Sequence, residues 1–200
     1  GYVKELSKSG IKFNYLLNAN CMGNWEFTRK GQRMLGSLLE WLADIKVGAV
    51  TVSLPYLLEL IKKKFPSFKV HISTMAGVDS LQRAKYWEGL GADRITLSAL
   101  SGVTRDFALL RLMRAHIKCE LQLIANLTCL AQCPLSVYHS CIYSHASQSS
   151  HPSRGFLIDY CFLRCNYLKL KDPSEFMRSA WIRPEDLRHY EEIGFNLIKF

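Results

Sequence analysis

The residues best suited to chemistry lie between Asn126 and Arg183. Five of the seven cysteines fall between Asn126 and Cys165. Cys129 and Cys133 form one pair, and Cys161 and Cys165 form a second with the same three-residue gap. Thiolates are soft ligands, and four that converge suit Zn(II) or an iron–sulfur cluster. Structural zinc favours tighter knuckles such as C-x2-C, so the wider gap tilts the expectation toward [4Fe–4S]. Zinc and unmetallated thiols are the alternatives, and Cys141 could replace one of the four ligands. His139 and His145 follow the first pair. They read either as plain loop histidines or as substrate contacts and spare ligands.

Two cysteines stand apart. Cys119 opens a strand and reads as a small core residue. Cys21 follows a strand end and could face a site there. A thiol nucleophile needs an imidazole base, and His71 is its candidate partner on adjacent strand ends. A serine nucleophile has less support, because the chain has no G-x-S-x-G elbow.

The elements that must position these groups follow a strand–helix rhythm. Strands are predicted at Ile11 to Leu17, Ala49 to Ser53, Lys69 to Ser73, Arg94 to Ser98, Cys119 to Ala125 and Phe195 to Phe200. Helices are predicted at Thr28 to Asp44, from Pro55 onward, at Ser80 to Leu90, at Thr104 to His116 and at Pro184 to Ile193. Such alternation implies βαβ units and a parallel sheet covered by helices. No strand is followed by the glycine fingerprint of a dinucleotide fold. Strand ends carry Asn18, Ser53, Ser73, Ser98 and Asn126 instead. In a barrel these would converge on one mouth.

The expected fold is therefore α/β, a parallel (β/α)8 TIM-type barrel. It is read as incomplete, with six strands visible and the first two βα units missing, since a full barrel typically takes about 250 residues. The chain opens on Gly1 rather than Met and reads as part of a longer protein. An open sheet edge would call for a partner subunit. Residues 1–200 are expected to form one domain, with a Cys/Ser/His-rich insertion at about 127–180. Within it, Ser140 to Ser153 reads as a flexible loop or a lid over the mouth.

Composition narrows the function classes. An apolar content of 48% suffices for one buried core. Net charge is +9, from 26 basic and 17 acidic residues. That balance fits either a solvated basic face or a surface drawn to nucleic acid or anionic substrates. No apolar run is long enough for a bilayer, and no signal pattern opens the chain. An odd number of cysteines without an export signal points to reduced thiols and a cytoplasmic location.

Several motifs together carry a resemblance. They are Asn126…Cys129-x3-Cys133-Pro134…His139, Asp159-Tyr160-Cys161-x3-Cys165, Leu170-x-Asp172-Pro173, and Trp181-Ile182-Arg183-Pro184-Glu185-Asp186-Leu187. The combination resembles peptidase family U32, the collagenase-like group. Upstream, Val50 to Leu58, Ile72-Ser73-Thr74 and Gly91 to Leu97 are similar to the family's strand passages. The resemblance spans nearly the whole chain. It implies a barrel catalytic domain whose cysteines often hold a [4Fe–4S] cluster, with Cys129, Cys133, Cys161 and Cys165 as ligands. It also implies either an oxygen-independent hydroxylase or a peptidase of unfolded, collagen-like chains. The hydroxylase would modify RNA or a small anionic or aromatic substrate. A zinc-stapled, non-catalytic interaction subunit is the third expectation. On an enzyme reading, Asn18, Asn20, Asn126, His139 and Arg183 are the expected substrate contacts. The chain departs from the better-known members, which space their first two cysteines more widely.

Overall fold

Short aliphatic and β-branched runs become strands because their alternating side chains can be buried against helices on one face. The computed structural model describes residues 2–148 and 159–200. In chain order the elements are α1 (Tyr2–Lys8), β1 (Asn14–Leu17), α2 (Arg29–Asp44), β2 (Ala49–Val52), α3 (Pro55–Lys64) and β3 (Lys69–Ile72). They continue with α4 (Leu81–Gly89), β4 (Arg94–Thr96), α5 (Phe107–His116) and β5 (Glu120–Ile124). Three helices then intervene, α6 (Ser136–Ala146), α7 (Tyr160–Lys171) and α8 (Ser174–Arg178). The last elements are α9 (Leu187–Ile193) and β6 (Ile198–Lys199).

The six strands pair in sequence order, β1 to β6, and every pairing is parallel. The sheet curls into an incomplete barrel with helices outside it. Val50, Val52, Val70, Ile72, Ile95, Leu121 and Leu123 point outward into the helix layer and are buried there. Leu35, Leu39 and Leu42 of α2, Leu57, Leu58 and Ile61 of α3, and Leu110 and Met113 of α5 meet them. The spacing of these helical residues is the 3.6-residue stripe that a sheet-covering helix requires.

The other face of the strands lines the interior, and most of its residues are polar. Asn14 and Thr51 exchange side-chain hydrogen bonds of 2.8 and 3.1 Å. Thr96 donates to Gln122 at 3.0 Å, and Arg94 grips Glu120 at 2.7–2.8 Å. Helix starts are set by short polar side chains, as capping requires. Thr28 accepts from the Gly31 N–H, Asp106 from Leu109 and Asp159 from Phe162. Pro55 opens α3, where its missing N–H costs nothing.

Element bounds move at several places: β4 ends at Thr96, α5 starts at Phe107 and β6 is only Ile198–Lys199. Two further expectations change. The first strand begins at Asn14 rather than Ile11. The Ile11 N–H is already bonded back to the Leu6 carbonyl at 3.0 Å, so this part of the chain serves the end of α1 instead of the ladder. Helix α6 runs into the Ser140 to Ser153 stretch expected as a loop or lid. In α6, Ser140 and Ser144 return their hydroxyls to the carbonyls four residues earlier, at 2.7 and 2.8 Å. That satisfies the groups that would otherwise compete with the helix. The rest of the expected lid, from Ser149 to Ser153, lies outside the described residues.

Gly31 sits where α2 starts against the single turn Trp25–Phe27. A Cβ there would fall 1.9 Å from the Trp25 carbonyl oxygen, whereas one at Gly36 would meet nothing within 4 Å. Gly31→Ala should therefore lower stability by about 1–3 kcal/mol through overpacking. Gly36→Ala should raise it by about 0.5–1 kcal/mol through helix propensity. Urea unfolding midpoints of the two variants should move in opposite directions.

Candidate functional site

Parallel strands deliver all their C-terminal ends to one edge, and the polar residues there must satisfy one another. Asn18 donates its side-chain amide to the Ser73 hydroxyl at 3.1 Å. The Ser53 hydroxyl donates to the Asn18 carbonyl at 2.9 Å. Thr74 donates to the Leu97 carbonyl at 3.1 Å and accepts from the Ala99 N–H at 3.3 Å. This network ties the ends of β1, β2, β3 and β4 into one rim.

Against the rim lies an open pocket of about 850 Å³. Asn20, Thr74, Met75, Gln132, Ser136 and Ser140 contribute to its wall, and so does Cys133. Asp79 and Arg83 also line it, but they bond to each other at 3.0 Å. The wall is thus charge-balanced and rich in amide and hydroxyl groups. Such a surface reads hydrogen-bonding edges rather than phosphate charge. Gln132 holds a left-handed backbone, φ 46°, which turns the cysteine loop under Gly102.

Of the four paired cysteines, Cys133 lines this pocket. Cys129 and Cys133 lie in the loop after β5, while Cys161 and Cys165 are one turn apart on α7. All are free thiols. Burial pushes the Cys129 thiol up, and so do the neighbouring Cys133 and Cys165, while the Lys169 cation opposes them. Burial likewise raises Cys133, which also feels Cys165 and Lys169. Cys161 is raised by burial, then by Asp159, Cys133 and Cys165. The thiols therefore share one electrostatic neighbourhood. Lys169 is only 7% exposed, and its ammonium lies 5.3 Å from the centre of the Phe176 ring. Among the described residues, no three His, Cys, Asp or Glu side chains form a group that could hold a metal ion. By donor type alone, four cysteine thiols are what an iron–sulfur cluster takes.

The other expected residues are placed as follows. His139 lies against Tyr143, the ring centres 4.5 Å apart and the rings tilted by 42°. Its Nε2 lies 3.7 Å from Asp159 Oδ2, too far for a hydrogen bond, and both atoms are buried without a hydrogen-bond partner. Asn20 lines the pocket, its main-chain N–H bonded to the Ser144 hydroxyl at 3.0 Å. Asn126 is exposed beyond β5, off the pocket wall. Arg183 closes a two-pronged bond on Asp186, 2.8 Å at each prong, on the exposed side of the last turn before α9. Cys21 meets His145, not His71. Sequence reasoning missed Gln132, Thr74, Lys169 and the Asp79–Arg83 pair. Gln132 alone had a signal, its place between Cys129 and Cys133.

The model of peptidase family U32 matches residues 14–196. The chain belongs to peptidase family U32. The uncharacterized protease MJ1657 of Methanocaldococcus jannaschii is 33% identical over 189 residues, 94% of this chain and 55% of that protein. The chain thus spans about half the length of that relative. The tRNA hydroxylation protein P of Haemophilus influenzae is 32% identical over 60 residues, 30% of this chain and 13% of its own length. The solved structure of the U32 peptidase Mk0906 superposes with a TM-score of 0.69 at 25% identity, covering 98% of this chain and 71% of that one. Family membership and the partial barrel thus rest on both sequence and structure. Among the described residues, no helix is long and apolar enough to cross a membrane.

His71 lies at the opposite end of the sheet interior, in a cavity of about 460 Å³ shared with Lys12, Asn14, Lys69, Arg94 and Glu120. Burial, then the Arg94 charge, lowers its pKa from 6.5 to about 4, while Glu120 and Asp93 pull the other way and Lys62 adds to the lowering. The unfolded chain holds this proton up to about pH 6.5, the folded chain only up to about pH 4. Stability contributed by neutral His71 is therefore complete above about pH 6.5 and is lost as pH falls toward about 4. In His71→Gln the urea midpoint should fall less steeply across that window than in the wild type.

Proposed function

We propose that this chain is the cluster-bearing part of an enzyme that hydroxylates a planar heterocyclic substrate without oxygen. The substrate would be an RNA base or a small aromatic molecule. Cys129, Cys133, Cys161 and Cys165 would hold a [4Fe–4S] cluster. The observation that carries the reading is the double role of Cys133. It belongs to the four-thiol neighbourhood and also forms part of the pocket wall.

When bound, such a cluster supplies one-electron chemistry. The chain's own residues would do the rest. Asn20, Thr74, Gln132, Ser136 and Ser140 present donors and acceptors that suit the edges of a heterocycle. Asp79 and Arg83 neutralise each other and leave the wall without net charge. Lys169 faces the thiols and offsets the negative charge they carry as ligands. The excess of 9 positive charges would favour approach of an anionic partner such as RNA. The description of the Haemophilus relative as a tRNA hydroxylation protein is in keeping with this reading.

The test is metal and sulfide analysis of the full-length protein, purified anaerobically from a host that assembles clusters. About four irons and four sulfides per chain are expected for one cubane. Cys129→Ser, Cys133→Ser, Cys161→Ser and Cys165→Ser should each lose most of the iron. Wild-type protein without iron, or with one zinc in its place, would sink the reading and leave the zinc-stapled alternative.

A further inference from the structure

Helix α7 has two unlike sides. Cys161, Cys165 and the buried Lys169 lie along one of them. Along the opposite side stand Tyr160, Leu163, Tyr167 and Leu170, each between 52% and 80% exposed. They recur at steps of three, four and three residues. On a helix that turns about 100° per residue, this spacing confines them to an arc of about 80°.

A helix laid against a core or a lipid surface needs a broader apolar side than that. A strict a/d stripe is the narrow seam that receives one other helix. With Tyr160 and Tyr167 at a, Leu163 and Leu170 fall at d, and Arg164 and Lys171 both fall at e. Among the described residues neither of these cations meets a carboxylate. The Arg164 guanidinium lies 5.4 Å from the centre of the Tyr167 ring, which keeps it along the edge of the stripe.

Charge decides what the seam takes. Helix α7 contains no acidic residue. Asp159 before it accepts from the Phe162 N–H, and Asp172 after it accepts from the Ser174 N–H. A second copy of the chain would therefore bring no acidic side chain to Arg164 and Lys171. Single-stranded nucleic acid would meet the charges, but Leu163 and Leu170 offer no ring on which a base could stack. The complement is a helix that is apolar along its own a/d stripe and carries Asp or Glu beside it.

We infer that the outward side of α7 docks an acidic amphipathic helix of a partner protein. The a and d side chains of the two helices interdigitate, and Arg164 and Lys171 pair with the partner's flanking carboxylates. From Tyr160 to Leu170 the seam runs about 15 Å, a length suited to a small, reversible contact. The contact uses none of the four paired cysteines and is independent of the cluster.

Full-length protein should be titrated into a fluorescein-labelled synthetic helix with Leu at a and d and Glu at e and g, with fluorescence anisotropy as the readout. A matched peptide carries Lys at e and g. Like charges at e and g keep either peptide from pairing with itself. The Glu peptide should bind at least about tenfold more tightly than the Lys peptide. Leu163→Ser combined with Leu170→Ser should weaken the Glu peptide about tenfold or more. Arg164→Glu combined with Lys171→Glu should reverse the preference, which general unfolding could not do. Thermal midpoints of both double variants should stay at the wild-type value, since all four side chains are exposed. Equal binding of the two peptides, no binding of either, or binding undiminished by the serine variant would overturn the inference. So would a lowered thermal midpoint in the serine variant, which would mark the side as covered by another part of the same polypeptide. A dimer that the serine variant dissolves would assign the seam to a second copy instead. Tighter binding of phosphatidylglycerol vesicles or of a poly(U) oligonucleotide than of the Glu peptide, lost in the glutamate variant, would assign it to lipid or to RNA.

Discussion

The molecule depends on the one-way hydrogen bonding of a parallel sheet. Every strand runs the same way, so every strand ends at the same rim. Backbone and side-chain polar groups at that rim are taken out of water by the neighbouring loops, and they need partners. The chain supplies them internally, through Asn18, Ser53, Ser73 and Thr74. A rim held in this way is rigid. It offers loops a fixed edge from which to present Asn20, Cys21, Gln132 and Cys133. The fold therefore concentrates chemistry at one end and leaves the other end, around His71 and Arg94, to interior packing and ion pairing.

How much of this was legible in the sequence follows from where the determining forces act. The strands were legible because burial on the helix side imposes Val50/Val52, Val70/Ile72 and Leu121/Leu123 as visible alternations. Helices α2 and α5 were legible from their stripes, although α5 starts only after its Asp106 cap, later than the expected Thr104. The barrel reading came from polar strand ends, and the rim network accounts for them. Helix α6 was not legible. Its serines look like loop formers, and only their bonds to Ser136 and Ser140 carbonyls reveal that the helix absorbs them. The partner of Cys21 was hidden for a different reason. Strand adjacency suggested His71, but α6 folds back over the rim and brings His145 from 124 positions away. Arg183 looked free because sequence shows charge and not pairing, and Asp186 occupies both prongs of its guanidinium.

The helical insertion changes what the cysteine spacing means. In a flexible loop, a three-residue gap leaves two thiols free to find any geometry. On α7 the same gap places Cys161 and Cys165 at i and i+4, on one face and one turn apart. The second pair is thus preorganised by the helix, with Asp159 capping its start. The first pair stays in a loop bent by the left-handed Gln132 and anchored by Ser179, which donates to the Thr128 carbonyl at 3.3 Å. One rigid pair and one adjustable pair is a workable division. On the proposed cluster, the helix would fix where the group sits and the loop would close on it.

Lys169 gives that arrangement its electrostatic logic. Burying an ammonium group costs several kcal/mol unless something nearby repays it. The Phe176 ring repays roughly 0.5–2 kcal/mol at best. Thiols that stay protonated carry no charge and repay little. Thiols that lose their protons to a metal become anions within reach of Lys169, and the buried cation then stabilises them as ligands. Burial and mutual repulsion work against that ionisation at Cys129, Cys133 and Cys161, whereas Lys169 favours it at Cys129 and Cys133. On the proposed cluster, the lysine on α7 four residues after Cys165 would be the counter-charge to the ligating thiolates.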